Sequence, residues 1–249
     1  MKPDLSVVVP LFNEEPNLLD LHRELSDVLT AWGRSYEIIL VDDGSTDGSF
    51  SVLADIQSRD NAVRVIRLRK NFGQTAAFAA GFAHARGRLI ATSDGDLQND
   101  PADLPAMVDK IDEGHDIVCG WRKQRQDPWL TRRLVSNIAN WLISKTTGVH
   151  LHDYGCSLKV FRSEVIQSLR LYGEMHRFIP ALASEQGVRI HEVVVNHRPR
   201  RQGISKYGLS RMPRVVLDLV TVKFLLSYST RPLQMFGPPG LLMGITGTA

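Results

Sequence analysis

Short apolar runs alternate along the chain with stretches whose apolar residues recur at helical spacing. Residues 5–10 (LSVVVP), 37–41 (EIILV), 63–68 (VRVIRL), 89–93 (LIATS) and 116–120 (DIVCG) read as strands. Their near-continuous apolar character suits a parallel sheet covered on both faces. After the first run, Leu18, Leu21, Leu25 and Val28 fall at helical spacing within residues 16–29, and Pro16 suits a first turn. Residues 47–57, 75–85 and 101–111 also predict helices. Repeated strand–helix units imply right-handed crossovers and an open, Rossmann-like α/β sheet with helices on both faces. Beyond Gly120 the pattern loosens. Residues 129–147 read as a helix, 156–162 and 188–197 as strands, and 198–208 as a basic, glycine-containing loop. Residues 211–227 read as an amphipathic helix, basic at its start. No internal repeat, low-complexity tract or interdomain linker is visible.

Ligands of such sheets bind beyond the carboxyl ends of the strands. That points to the loops at residues 11–15, 42–48, 69–74 and 94–100, all rich in Asp, Asn, Gly or basic residues. The first, LFNEEPN, has no glycine, so it is neither a dinucleotide fingerprint nor a phosphate-cradling P-loop. A dehydrogenase, a P-loop ATPase and a nucleotidyltransferase are thereby disfavoured. Glu14 and Glu15 can accept hydrogen bonds from ribose hydroxyls or base N–H groups. Acidic residues also favour a helix N-terminus, which by itself is the simpler account.

The second loop, VDDGSTDGS, puts Asp42 and Asp43 at a strand end, followed by Gly44 for a tight turn. Turn-forming and helix capping account for Ser45, Thr46 and Asp47 but leave two adjacent carboxylates, which suit a nucleoside base edge or ribose. The loop SDGDLQND carries the strongest single signal. Asp94 and Asp96 bracket Gly95, and two such carboxylates can converge on one hard cation while Gln98 adds an amide oxygen. A Mg²⁺ or Mn²⁺ there would serve a nucleotide-sugar donor, whose leaving group is a nucleoside diphosphate. Asp153, in HDYGCSLKVFR, is a general base, an acceptor-positioning group or a turn residue before Gly155.

Composition changes this picture little until the end of the chain. The 249 residues are 43% apolar and 23% charged with a net charge of +3, ordinary for a globular protein and too weakly basic to argue for nucleic acid. Cys119 and Cys156 fit no CxxC pattern and read as free thiols in a reducing compartment, and the N-terminus shows no signal peptide. Basic residues cluster at Arg122, Lys123, Arg125, Arg132 and Arg133 and again at Arg198, Arg200, Arg201 and Lys206. They suit phosphate recognition or a solvated basic face, and no nucleic-acid motif accompanies them. From residue 232 to 249 no charge occurs, which reads as the start of a transmembrane segment or as an apolar tail.

Taken in order, VVVPLFNEE, VDDGSTDGS, RKNFGQTAA, SDGDLQNDP, DYGCSLKVFR and QGISKYG resemble the family 2 glycosyltransferases of GT-A fold, nearest the polyprenyl-phosphate sugar transferases. The likeness covers nearly the whole chain. It implies a catalytic domain over residues 1–208, juxtamembrane helices over 209–231 and a truncated membrane region over 232–249. It also implies inverting transfer from a nucleotide sugar, UDP-linked in preference to GDP-linked, to undecaprenyl phosphate at the cytoplasmic face of the inner membrane. By the same likeness Pro10, Asn13, Glu14 and Asp42 line the nucleoside pocket, with Asp43, Lys70, Arg201 and Lys206 on the donor. Asp94 and Asp96 form the acidic pair, with Asp96 and Gln98 on the metal. Arg122 and Arg133 face the lipid phosphate, and Asp153 is a base or acceptor-positioning group. A homo-oligomer stays open. The rivals are a family member with a soluble or polysaccharide acceptor and a non-catalytic nucleotide-sugar binder at the membrane.

Overall fold

The computed structural model describes residues 2–123, 143–145, 147–199 and 212–247. Seven strands among them form one sheet: β1 (Leu5–Leu11), β2 (Tyr36–Asp42), β3 (Val63–Arg67), β4 (Leu89–Thr92), β5 (Ile117–Trp121), β6 (Lys159–Arg162) and β7 (Ile190–Val194). Their spatial order is β3-β2-β1-β4-β6-β5-β7. Only β6 runs against its neighbours, β4 and β5; every other pairing is parallel. The α-helices with bounds among the described residues are α1 (Leu18–Trp32), α2 (Ser49–Arg59), α3 (Gln74–His84), α4 (Leu104–Asp112), α5 (Ser163–Gln167), α6 (Ile179–Ser184), α7 (Met212–Tyr228) and α8 (Pro232–Gly247).

The strands read as continuous apolar runs because each face of the sheet has its own core. On β1, Val7 and Val9 enter a cluster with Leu21, Leu25 and Leu29 of α1, while Val8 enters the opposite cluster with Phe78 and Phe82 of α3. Alternate side chains of a strand point to opposite faces, so both parities must be apolar.

Several boundaries move from their sequence positions. The run at 156–162 joins the sheet only as β6, Lys159–Arg162. Before it, side chains take up backbone carbonyls: Thr92 Oγ1 donates to the Ser157 carbonyl at 2.6 Å, and Lys159 Nζ to that of Cys156. The predicted strand 188–197 narrows to β7, and 101–111 becomes a 3-10 turn followed by α4. Of the helix predicted at 129–147, only 143–145 and 147 are described.

Helix α7 seats Leu219 and Val222 in the second core and leaves Leu217 and Val220 exposed. Phe224 packs against Phe236 of α8, at 5.6 Å between ring centres. Leu233, Leu241, Met243 and Ile245 of α8 are exposed. At about 1.5 Å per residue α8 spans roughly 24 Å, short of a ~30 Å hydrocarbon core. No helix among the described residues is long and apolar enough to cross a membrane.

Candidate active site

The four loops singled out in the sequence meet at the carboxyl ends of the strands and are tied to one another. Asn13, at a φ of 52°, donates through its backbone N–H to Ser45 Oγ, and its Oδ1 accepts from the Thr46 N–H at 2.8 Å. Asn tolerates this left-handed conformation better than most residues. Glu14 Oε2 accepts from Asn17 Nδ2 at 2.8 Å, and the Glu14 N–H bonds Ser49 Oγ. Pro10 pairs with Val41 one step before the strand end, beside these braces.

Asp42 and Asp43 are adjacent but unlike. Asp43 accepts the backbone N–H groups of Phe72 and Gly73 at 2.8 and 2.9 Å, so it anchors the 69–74 loop to β2. Burial, with Asp42 beside it, pushes the Asp43 carboxyl above the usual range despite those bonds. Asp42 is fully buried. Its Oδ1 accepts from the Ser45 N–H at 2.9 Å, while Oδ2 has no hydrogen bond among the described residues and lies 3.8 Å from Arg67 Nε. A buried acceptor of this kind calls for an explanation. Lys70 lies over the ring of Phe72, 5.1 Å from its centre.

In the acidic loop, Gln74 Nε2 donates to Asp94 Oδ1 at 2.8 Å, and the Gln98 N–H donates to Asp96 Oδ1 at 3.1 Å. Leu97 between them has a φ of 61° and is buried in the first core, which holds the turn in an otherwise disfavoured conformation. The loop is also pinned from β7's exit. The Arg198 N–H bonds the Gln98 carbonyl, Asn99 bridges His197, and the Arg198 guanidinium pairs with Glu24 and Asp100. Arg198 is therefore committed to structure rather than to an open basic cluster.

The donor set suits a hard cation. Asp94, Asp96 and Gln98 offer oxygen, and among the described residues no group of three or more His, Cys, Asp or Glu side chains forms a self-sufficient metal site. Mg²⁺-type ions are commonly held by one or two carboxylates plus substrate phosphates, which matches so small a set.

At the end of β5, Arg122 meets Asp153 in a side-on ion pair, Nε to Oδ2 at 2.7 Å and Nη2 to Oδ1 at 3.0 Å. Burial opposes the guanidinium's charge, but the Asp153 bonds outweigh it and raise its pKa, and the Asp94 charge adds to that field. Cys119 and Cys156 are free and buried, and burial pushes the Cys119 thiol up to about 12. Arg133, Arg201 and Lys206 lie outside the described residues. Three contributors escaped the sequence reading: Gln74, Glu192 and the Trp121–His152 stack, at 4.2 Å between ring centres. Gln74 and His152 lie in motifs legible in the sequence, Glu192 and Trp121 in none, and all their partners are distant in sequence.

A family model described as glycosyl transferase family 2 matches residues 6–170. The chain is 49% identical over 247 residues to a dodecaprenyl-phosphate galacturonate synthase of Rhizobium johnstonii, covering 97% of this chain and 72% of that protein. It is 41% identical over 241 residues to an undecaprenyl-phosphate 4-deoxy-4-formamido-L-arabinose transferase of Edwardsiella ictaluri, covering 96% and 73%. Among solved structures, a Mycobacterium tuberculosis glucosyl-3-phosphoglycerate synthase in complex with Mn²⁺, UDP and glucosyl-3-phosphoglycerate superposes with a TM-score of 0.66. That match has 18% identity and covers 89% of this chain and 79% of that one. The shared architecture is the mixed α/β GT-A fold.

Proposed function

The chain belongs to glycosyl transferase family 2, and from that premise we propose that it moves a sugar, with inversion, from a UDP-linked donor to a polyprenyl phosphate at the cytoplasmic face of the inner membrane. One observation carries the reading: the Asp94–Asp96–Gln98 loop stands at the end of β4, in the same group of strand ends as the Asp42 oxygen that has no hydrogen-bond partner among the described residues. In the proposed reaction an ionised phosphate oxygen of the lipid attacks the anomeric carbon. The bond from that carbon to the nucleoside diphosphate breaks, and its electron pair leaves with the diphosphate. No proton need be removed from the acceptor.

Asp42, with Pro10, Asn13, Glu14 and Asp43, frames the nucleoside end, and a base N–H directed at Asp42 Oδ2 would satisfy that atom. Lys70, Arg201 and Lys206 serve the donor phosphates. A Mg²⁺ or Mn²⁺ held by Asp96, Asp94 and Gln98 would offset the charge growing on the leaving group. Arg122, with Arg133, receives the acceptor phosphate. Residues 1–208 form the catalytic domain, 209–231, which include α7, the juxtamembrane region, and 232–249 the opening of a membrane region; the exposed apolar residues of α7 and α8 support that assignment.

The test incubates the protein in membranes with undecaprenyl phosphate, Mg²⁺ or Mn²⁺ and a panel of labelled nucleotide sugars. The panel includes UDP-linked galacturonic acid and formamido-arabinose. Label is expected in the organic phase and is expected to vanish in Asp96→Ala. Label confined to water-soluble glycans would replace the lipid acceptor with a soluble one, and donor binding without turnover would make the chain a binder.

A further inference from the structure

We infer that Asp153 is a positioning residue that acts through Arg122 and takes no proton during transfer. The inference deepens the proposed function, and rests on it for the acceptor phosphate at Arg122. Both carboxylate oxygens are already occupied. Oδ2 accepts from Arg122 Nε at 2.7 Å and from the Arg122 N–H at 3.4 Å. Oδ1 accepts from Arg122 Nη2 at 3.0 Å and from the Gly155 N–H at 3.1 Å. The residue is only 2% exposed. A general base needs an oxygen within reach of the proton it removes, and two donors already occupy each of these.

The turn that carries Asp153 is itself held from two strands. Glu192 on β7 accepts the backbone N–H groups of His152 and Asp153, at 2.9 and 3.3 Å, and pairs with His152 Nδ1 at 2.8 Å. Trp121, the residue before Arg122, stacks on the same His152 ring. Glu192 therefore fixes the turn, the turn fixes the carboxylate, and the carboxylate fixes the guanidinium through Nε and Nη2. A planar guanidinium held along one edge keeps its remaining N–H groups in a set direction, as recognition of a phosphate requires. An acceptor phosphate that is largely ionised at neutral pH leaves a base little to do.

A double-mutant cycle tests this. Asp153→Asn and Arg122→Gln should each lower kcat/KM for undecaprenyl phosphate by about 100-fold, with most of the loss in the acceptor KM. UDP binding by calorimetry should stay within about twofold, which also shows that the variants fold. The double variant should be no worse than the poorer single variant. Losses that multiply would overturn the assignment. The unaltered protein provides a second measurement: its solvent deuterium isotope effect on kcat should be close to 1, and a value of about 2 or more would restore Asp153 as a base. Micellar undecaprenyl phosphate binding, measured without donor, separates this inference from the transfer reaction. Non-additive loss of that binding in the same cycle would uphold the pair even if no sugar were transferred, and additive loss would sink it.

Discussion

Replacing Gly44 by alanine should damage the site from a distance that the structure specifies. Gly44 has a φ of 69°, and a Cβ there would lie 2.4 Å from the Lys70 carbonyl carbon and 2.7 Å from Lys70 Cα and Asn71 N. Those neighbours are backbone and cannot rotate away. Gly33 provides the control, with a φ of 76° and nothing within 4 Å of the added carbon. The left-handed conformation costs a non-glycine residue about 1–2 kcal/mol, and forced overpacking adds about 1–3 kcal/mol. Gly33→Ala should therefore lose about 1–2 kcal/mol and Gly44→Ala about 2–5 kcal/mol, read from urea unfolding midpoints. The 69–74 loop that Gly44 abuts also supplies the N–H groups held by Asp43 and begins α3 at Gln74, which bonds Asp94. UDP affinity in the presence of Mn²⁺ should thus fall by about tenfold or more in Gly44→Ala and hold in Gly33→Ala. Equal destabilisation of the two variants, or UDP binding untouched in Gly44→Ala, would refute the close approach of these loops.

Two further predictions concern other parts of the fold. Glu37 is buried, yet it accepts from Ser6 Oγ and the Arg86 N–H, both at 2.7 Å, and pairs with the Arg86 and Arg64 guanidiniums. Burial opposes its ionisation, but the Ser6 and Arg86 bonds prevail and hold its carboxyl below the usual range. A depressed folded pKa stabilises the fold above the unfolded value of about 4.3 and is lost as pH falls through the folded value. Glu37→Gln should therefore cost about 1–3 kcal/mol at pH 7, with the gap to the unaltered protein narrowing below pH ~4; a gap constant with pH in urea titrations would contradict it. On α8, changing exposed Leu233, Phe236 and Leu241 together to serine should weaken sedimentation with phosphatidylcholine vesicles by about 100-fold or more, since each large apolar side chain contributes about 1.5–3 kcal/mol when buried. Unchanged sedimentation would remove α8 from the membrane contact.

The sheet was readable from the chain because burial on both faces demands apolar residues at both parities of a strand, as at Val7, Val8 and Val9 of β1. The acidic loops were readable because turn chemistry explains Ser45 and Asp47 but not the paired carboxylates beside them. Local pattern could not show that β6 would run antiparallel between β4 and β5, since Val160 and Phe161 flanked by Lys159 and Arg162 read alike in either direction. Nor could it separate Asp42 from Asp43, neighbours of one type, of which Asp43 anchors residues 72 and 73 and Asp42 buries an oxygen without a hydrogen bond among the described residues. The fates of Arg122 and Arg198 were likewise settled in three dimensions, by carboxylates 31 residues away in one case and 98 and 174 away in the other. Hydrophobic period and turn residues act over a few positions, so sequence alone determines elements and loops. Ion pairs and buried carboxylates depend on which loops the sheet order brings together, and that only the folded molecule decides.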